Sequence, residues 1–245
     1  MTTLTDTRPM ASITLAALGP DPRIGLERAA ALGVRGVQLS AGQSGTQPQD
    51  LGASGRRDVL GAAHRLELVI SGVDAWIRAE DFVDSERMDR SLHLALEAIE
   101  LASDLGRLPL SLTLPDAPGA EEIISTLVHR ASLVGVELAD HARPVDEGRA
   151  GTGWGIDLPA WVASGDDILT AMTSTSRPLT SLRLADLDEH ASRTAIGGAY
   201  SRLDVEAILL AARAGGYNGL WVIDARQWRD VEGGVARTLE LVGSR

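Results

Sequence analysis

Cysteine is absent from the 245 residues of this sequence, and positive charge is scarce. The missing cysteines exclude disulfide bonds and thiolate chemistry. The chain has 23 basic against 34 acidic residues and a net charge of −11, which argues against binding the phosphate backbone of a nucleic acid or an anionic membrane surface. No apolar run reaches the roughly 18 residues of a membrane span. The polar N-terminus MTTLTDTRPM lacks the apolar stretch of a signal peptide, so we expect a cytoplasmic protein.

The remaining composition is that of an ordinary globular protein. Hydrophobic residues make up 44% of the chain and charged residues 23%, which is enough apolar material for a large core. We predict a short disordered lead at residues 1–11 and one domain at residues 12–245. The expected partner is a small molecule, and a homodimer is left open.

Eight short apolar runs alternate with longer amphipathic runs along the chain. The apolar runs are rich in Val, Ile and Leu, which is typical of strands buried on both faces of a parallel sheet. They cover residues 13–19, 33–40, 66–76, 108–115, 135–141, 153–158, 179–186 and 219–225. This alternation predicts a single (β/α)8 TIM barrel. An open doubly wound sheet would more often carry a Gly-rich loop after its first strand, and none follows here.

One connection is shorter than the barrel pattern requires. The fifth and sixth predicted strands are separated by only about eleven residues, ARPVDEGRAGT. Two loops and a full helix need more chain than that. We therefore expect the outer helix between strands five and six to be reduced or missing.

Polar and aromatic residues follow the predicted strands at their carboxyl ends, where barrel enzymes place their active sites. The candidates are Gln38 on strand two, Asp74 and Trp76 on strand three, Asp140 and His141 on strand five, Asp157 and Trp161 on strand six, Arg183 on strand seven, and Asp224 and Arg226 on strand eight. Because the chain has only eight aromatic residues, the two tryptophans are candidates for a sugar-binding platform. Packing in the core or a loop explains them equally well.

Five segments resemble, in order and spacing, one superfamily of TIM barrels. They are GVRGVQLS, RASLVGVELADHARP, GWGIDLPAW, LTSLRLADL and GGYNGLWVIDAR. Together they are similar to the xylose-isomerase-like superfamily, which includes sugar phosphate isomerases and epimerases and the endonuclease IV type of abasic-site nuclease. The resemblance covers roughly residues 12–240.

The resemblance implies a metal site that this sequence has altered. Relatives place Glu, Asp, His and Glu on strands five to eight, a set that suits Mn²⁺, Mg²⁺ or Zn²⁺. The matching residues here are His141, Asp157, Arg183 and Asp224, with Asp140 as an alternative at strand five. If a metal is present, its ligands are Asp157, Asp224 and His141. Arg183 cannot be a ligand because its guanidinium stays protonated.

Arg183 suggests that the barrel mouth works without a metal. A guanidinium in the cavity supplies positive charge directly, so we expect it to pair with Asp157 and Asp224. We therefore predict no cofactor, with a divalent metal disfavoured by Arg183. Asp157, Asp224 and His141 are the predicted catalytic residues. The predicted substrate-binding residues are Arg183, Trp76, Trp161, Asp74, Gln38 and Arg226.

Two functions follow from the resemblance and the altered site. The first is a sugar phosphate isomerase/epimerase-like enzyme that moves a proton next to a carbonyl of a small sugar, polyol or hydroxy-carbonyl compound. The alternative is a non-catalytic descendant that binds a small ligand or a partner protein. An abasic-site nuclease is disfavoured, because it needs several metal ligands and a basic surface that this chain lacks.

Overall fold

Eight parallel strands close into a barrel in the computed structural model, which describes residues 9–142, 149–198 and 201–243. The barrel strands are β1 (Ala11–Thr14), β2 (Gly36–Ser40), β3 (Val69–Asp74), β4 (Leu110–Leu112), β5 (Leu138–Asp140), β6 (Gly153–Asp157), β7 (Leu179–Leu184) and β10 (Trp221–Ile223). They follow one another around the barrel in chain order, and β10 pairs with β1 to close it. The predicted single (β/α)8 barrel is confirmed.

The first strand lies earlier than the sequence predicts. β1 begins at Ala11, which the prediction assigned to the lead, and residues 15–18 form a 3₁₀ helix instead of the end of the strand. Gly19 then takes a φ of 121°, a backbone conformation that glycine adopts readily. Residues 1–8 of the predicted lead lie outside the described residues.

Outer helices follow most of the strands. They are α1 (Pro22–Ala31), α2 (Ala53–Arg65), α3 (Met88–Asp104), α4 (Glu121–Val134), α5 (Leu158–Ser164), α6 (Ile168–Ser174), α7 (Val205–Ala214) and α8 (Val231–Gly243). α5 and α6 divide the β6–β7 connection because Gly165, in a left-handed conformation, ends α5 and the Asp167 side chain caps α6. None of the helices among the described residues has the length and hydrophobicity of a membrane span.

The β5–β6 connection falls partly outside the described residues. Residues 141–142 and 149–152, which flank the gap in the description, contain no helix. Residues 143–148, where the prediction places a reduced or missing helix, are not among the described residues.

Alternation along β5 and β6 decides which side chains enter the barrel. Ala139 lies beside Gly153 in register, and Asp140 lies beside Trp154. Trp154 packs with its ring 6.0 Å from that of Trp161 on α5, centroid to centroid, in the layer between strands and helices. Because side chains alternate along a strand, Asp140 points outward like Trp154, and the next residue along the chain points inward.

A short antiparallel sheet lies at the rim of the barrel after β7. Its two strands are β8 (Asp186–Leu187) and β9 (Arg193–Thr194). The turn between them is fixed by Asp188, whose Oδ1 accepts hydrogen bonds from the backbone N–H groups of His190 and Ser192, both at 2.9 Å. This sheet places β9 beside the carboxyl ends of the barrel strands.

Candidate active site

Three aspartates meet at the carboxyl end of the barrel. Asp74 is the last residue of β3, Asp157 is the last residue of β6, and Asp224 directly follows β10. Their side chains are 3%, 13% and 0% exposed, respectively. Carboxylates withdrawn from water in this way need compensating positive charge.

Arg193 on β9 supplies part of that charge. Its Nη1 lies 3.1 Å from Oδ1 of Asp157, and its Nη2 donates to Oδ2 of the same carboxylate, so the pair is bidentate. The Nη1 atom also lies 3.2 Å from Oδ2 of Asp224. Arg193 therefore bridges the carboxylates of the sixth and eighth barrel strands.

Arg226 binds the other side of Asp224. Its Nε and Nη2 atoms each lie 2.7 Å from one oxygen of that carboxylate, and its Nη1 donates to Asp74. The guanidinium carbon lies 3.4 Å from the ring centroid of Trp76, a cation–π contact. Arg226 thus connects the eighth strand to the third.

Arg183 on β7 reaches across the barrel. Its Nη2 atom lies 2.6 Å from Oδ1 of Asp74 on β3, and the seventh and third strands are opposite each other in the barrel order. The expected pairing of Arg183 with Asp157 and Asp224 is therefore wrong, because the long side chain spans the barrel while Arg193 takes those two carboxylates. We call these six residues the mouth network: Asp74, Asp157, Asp224, Arg183, Arg193 and Arg226.

A cavity of about 380 Å³ opens above the mouth network. Asp74, Asp157, Arg183 and Arg193 contribute to its wall, together with Trp76. Asp224, Arg226, His141 and Gln38 do not line it. The cavity is large enough for a small ligand.

Trp76 is held in an unusual backbone conformation at this cavity. Its φ is 49°, in the left-handed region that a bulky side chain rarely adopts, and its side chain is nearly half exposed. Strained residues of this kind cluster at functional sites. The exposed indole gives the cavity an apolar wall of the type that packs against a sugar ring.

At the end of β5, the side chain of His141 rather than that of Asp140 faces the barrel interior. Its ring packs on the backbone of Gly155, where an added Cβ would lie 2.5 Å from the ring Cδ2. Burial, followed by the charges of Arg183, Arg226 and Arg193, lowers the pKa of His141 well below its usual range. The imidazole is therefore neutral at pH 7, although a contact with the backbone of Ile156 opposes the lowering of the pKa.

Asp140 points away from the barrel and has a structural role. Its Oδ1 accepts hydrogen bonds from the backbone N–H groups of Leu114 at 3.0 Å and Ala142 at 2.9 Å. Its Oδ2 pairs with Arg149. These contacts fasten the end of β5 to neighbouring loops.

Gln38 lies in the barrel interior beneath the mouth rather than on the cavity. Its Nε2 donates to Oγ of Ser111 at 3.2 Å, and Ser111 donates to Oγ of Ser181 at 3.1 Å. We call these three residues the hydroxyl chain. Ser181 precedes Arg183 by two residues on β7, so the chain lies one layer below the mouth network.

Trp161 lies away from the mouth. It is buried on α5 against Trp154 and borders a separate cavity between α5 and the start of α7. The strand-end pattern placed it wrongly because α5 begins at once after β6 and turns this side chain outward. Trp76 alone of the two predicted platform tryptophans lines the mouth cavity.

Asp224 has an ionised carboxylate despite its burial. Burial alone would raise its pKa, but the hydrogen bonds and charge of Arg226, with the charges of Arg183 and Arg193, bring the pKa below its usual value.

In the described part of the chain, no group of three or more His, Cys, Asp or Glu side chains could hold a metal ion.

Arg193 is the member of the mouth network that the sequence reasoning missed. It lies ten residues after Arg183, on the rim sheet and not at the carboxyl end of a barrel strand. Charge balance could have indicated it, since four candidate aspartates, Asp140 included, faced only two candidate arginines. The chain contains no lysine, so every such partner has to be an arginine or a histidine.

No family model and no curated protein matches the sequence. Solved structures do match the fold. A xylose isomerase domain protein from Planctomyces limnophilus is 16% identical, with a TM-score of 0.72 over 96% of this chain and 95% of that one. A sugar phosphate isomerase/epimerase from Parabacteroides distasonis is 16% identical, with a TM-score of 0.69 over 99% and 96%.

A third similar structure was solved with a metal. It is a xylose isomerase-like TIM-barrel protein from Mycobacterium smegmatis in complex with magnesium, 15% identical, with a TM-score of 0.66 over 97% of this chain and 96% of that one. At such identities the likeness concerns the fold and leaves the activity open. The chain has the fold of the xylose isomerase-like TIM barrels, as its strand-end segments predict.

Proposed function

We propose that this protein binds a small sugar, or a related polyol or hydroxy-carbonyl compound, at the barrel mouth and moves a proton next to its carbonyl. The observation that carries the proposal is the 380 Å³ cavity in which a carboxylate, Asp157, lies beside the guanidinium groups of Arg183 and Arg193. The reaction type is suggested by the fold, which a sugar phosphate isomerase/epimerase shares.

We further propose that the site works without a divalent metal. The side chains at the mouth do not fit such an ion, because Arg193 occupies both oxygens of Asp157 and one of Asp224. A metal there would lie beside three permanently charged guanidinium groups, which repel it. The arginines supply the positive charge that a metal would otherwise bring.

The proposed chemistry uses Asp157 as the general base. It is the one predicted catalytic residue that lines the cavity, whereas Asp224 and His141 lie behind the wall. Asp157 takes a proton from the carbon next to the carbonyl, and an N–H group of Arg183 or Arg193 stabilises the resulting enolate oxygen. Reprotonation of the same carbon on its opposite face gives an epimer. Protonation of the former carbonyl carbon, with transfer of the neighbouring hydroxyl proton to the enolate oxygen, gives an isomer.

Proton exchange tests this proposal whatever the product of the reaction is. Aldoses, ketoses and sugar acids are incubated with the protein in D₂O, and the C–H signal next to the carbonyl is followed by NMR. We expect exchange with at least one sugar, and a loss of about 100-fold or more in the Asp157→Asn variant, as for other general bases. Asp58→Asn, an exposed aspartate on α2, is the matched control and should keep the wild-type rate.

Metal analysis tests the second part of the proposal. Exchange should persist after dialysis against EDTA. Stoichiometric manganese, zinc or iron in protein purified without a chelator would contradict the metal-free site, as would an exchange rate restored only by added metal.

A second candidate is a barrel that binds its ligand without converting it. Each carboxylate of the mouth network is already paired with a guanidinium, so every oxygen that could take a proton from a substrate is already engaged. Saturable sugar binding with no exchange in D₂O across the panel would favour this function over catalysis.

A further inference from the structure

The residues of the mouth network differ in how many of their donor and acceptor atoms form hydrogen bonds. All six carboxylate oxygens already accept from a guanidinium: two of Asp74, two of Asp157 and two of Asp224. Arg226 donates through all three of its side-chain nitrogens. Arg183 donates to the network only through Nη2.

Two side-chain nitrogens of Arg183, Nε and Nη1, make no hydrogen bond among the described residues. Arg183 is 5% exposed, yet it forms part of the cavity wall. Its Nε is buried without a hydrogen-bond partner among the described residues. Nη1 also makes no hydrogen bond among the described residues but is not fully buried as Nε is, so a ligand in the cavity can bring an acceptor atom to it.

We propose that the ligand of the mouth carries a carboxylate, as a sugar acid does, and that Arg183 binds it. This inference rests on the proposed sugar-type ligand and names its class. The planar fork of a guanidinium matches the two oxygens of a carboxylate. Trp76 forms the adjoining wall, against which the carbon skeleton of the ligand packs.

The charges around the cavity favour a carboxylate over its alternatives. A neutral sugar presents hydroxyl groups that also need acceptors, and every carboxylate oxygen of the mouth network is already engaged. A phosphate brings up to two negative charges to a wall whose charged side chains already balance one another: Asp74, Glu80, Asp157, Arg78, Arg183 and Arg193. A carboxylate adds one negative charge and two acceptor oxygens.

Titration of the wild-type protein tests the class of ligand directly. The probes are D-glucuronate and D-galacturonate, their uncharged methyl esters, and D-glucose 6-phosphate, each followed by calorimetry. We expect at least one acid to bind about tenfold or more tightly than its own ester, since bonds to a charged acceptor are stronger than bonds to a neutral one. This comparison needs no variant and therefore does not depend on the folding of one.

A substitution at Arg183 tests whether this residue binds the carboxylate of the ligand. Arg183→Lys keeps a positive charge for Asp74 and removes the planar fork, so the acid should bind about tenfold more weakly while binding of the ester changes little. Arg57→Lys, an exposed arginine on α2, is the matched control. Circular dichroism and the melting temperature verify that both variants are folded.

The outcomes separate this inference from the proposed function. Equal binding of acids and esters, or tighter binding of glucose 6-phosphate than of either acid, overturns the inference. Exchange in D₂O with neutral sugars and no binding of either acid also overturns it, while the proposed function stands. Tight binding of an acid, with no exchange of any compound of the panel in D₂O, supports the inference and removes the catalytic part of the proposed function.

Discussion

Two adjacent layers of the barrel interior are polar in different ways. The mouth network consists of three aspartates and three arginines. One layer below, the hydroxyl chain of Gln38, Ser111 and Ser181 carries no charge. Buried charges depend on one another because removal of one leaves its partner uncompensated, whereas neutral groups lose only a hydrogen bond. A single substitution in the mouth network, the upper layer, should therefore disturb all of its charged partners. A substitution in the hydroxyl chain, the lower layer, should disturb only its own hydrogen bonds.

The largest expected effect is at Asp224. Its side chain is fully buried between Arg193 and Arg226, so Asp224→Asn leaves two guanidinium groups short of a negative charge. We expect a loss of about 3–5 kcal/mol in the free energy of unfolding, measured by urea denaturation. Asp104→Asn is the control, because its ion pair with Arg56 lies at the surface and should contribute below about 1 kcal/mol. Equal losses in the two variants would show that the mouth network is not coupled.

The comparison of layers also shows how far the sequence could predict this site. Apolar runs and connection lengths predict the barrel, because each strand is buried on both faces and leaves its signature in the chain. Strand ends also located Asp74, Asp157 and Asp224 correctly. The strand ends could not predict how far a long side chain extends: Arg183 crosses the barrel to the opposite strand and pairs with Asp74. The strand ends also could not predict the position of Arg193, because the rim sheet, and not a barrel strand, places it at the mouth.

The next largest effect is the dependence of folding stability on pH that His141, beside the mouth network, causes. Its pKa is lowered in the folded state by burial and by three arginines, so the unfolded chain binds the extra proton first. Stability should therefore fall as pH drops below about 6.5, by at most about 1.4 kcal/mol per pH unit. Asp224, whose pKa lies below its usual value, contributes only at lower pH. The window from pH 7.5 to 5.5 thus isolates the histidine.

Urea denaturation at pH 7.5, 6.5 and 5.5 measures this slope. His141→Gln should have the flatter profile, and His64→Gln, which alters an exposed histidine on α2, should keep the wild-type slope. Identical slopes in wild type and His141→Gln would mean that neither burial nor the arginines of the mouth network lower the pKa of this imidazole in the folded protein.

The smallest effect is expected in the hydroxyl chain. Ser111→Ala removes the acceptor for Nε2 of Gln38 and the donor to Oγ of Ser181, and the loss should be about 1–2 kcal/mol, because no charge is left uncompensated. Ser125→Ala, at an exposed position on α4, is the matched control. The double variant Ser111→Ala, Asp224→Asn tests whether the two layers are coupled. If the layers are independent, the two losses in the free energy of unfolding add within about 0.5 kcal/mol. A clear departure from additivity would mean that the hydroxyl chain and the mouth network are energetically coupled and form one polar unit.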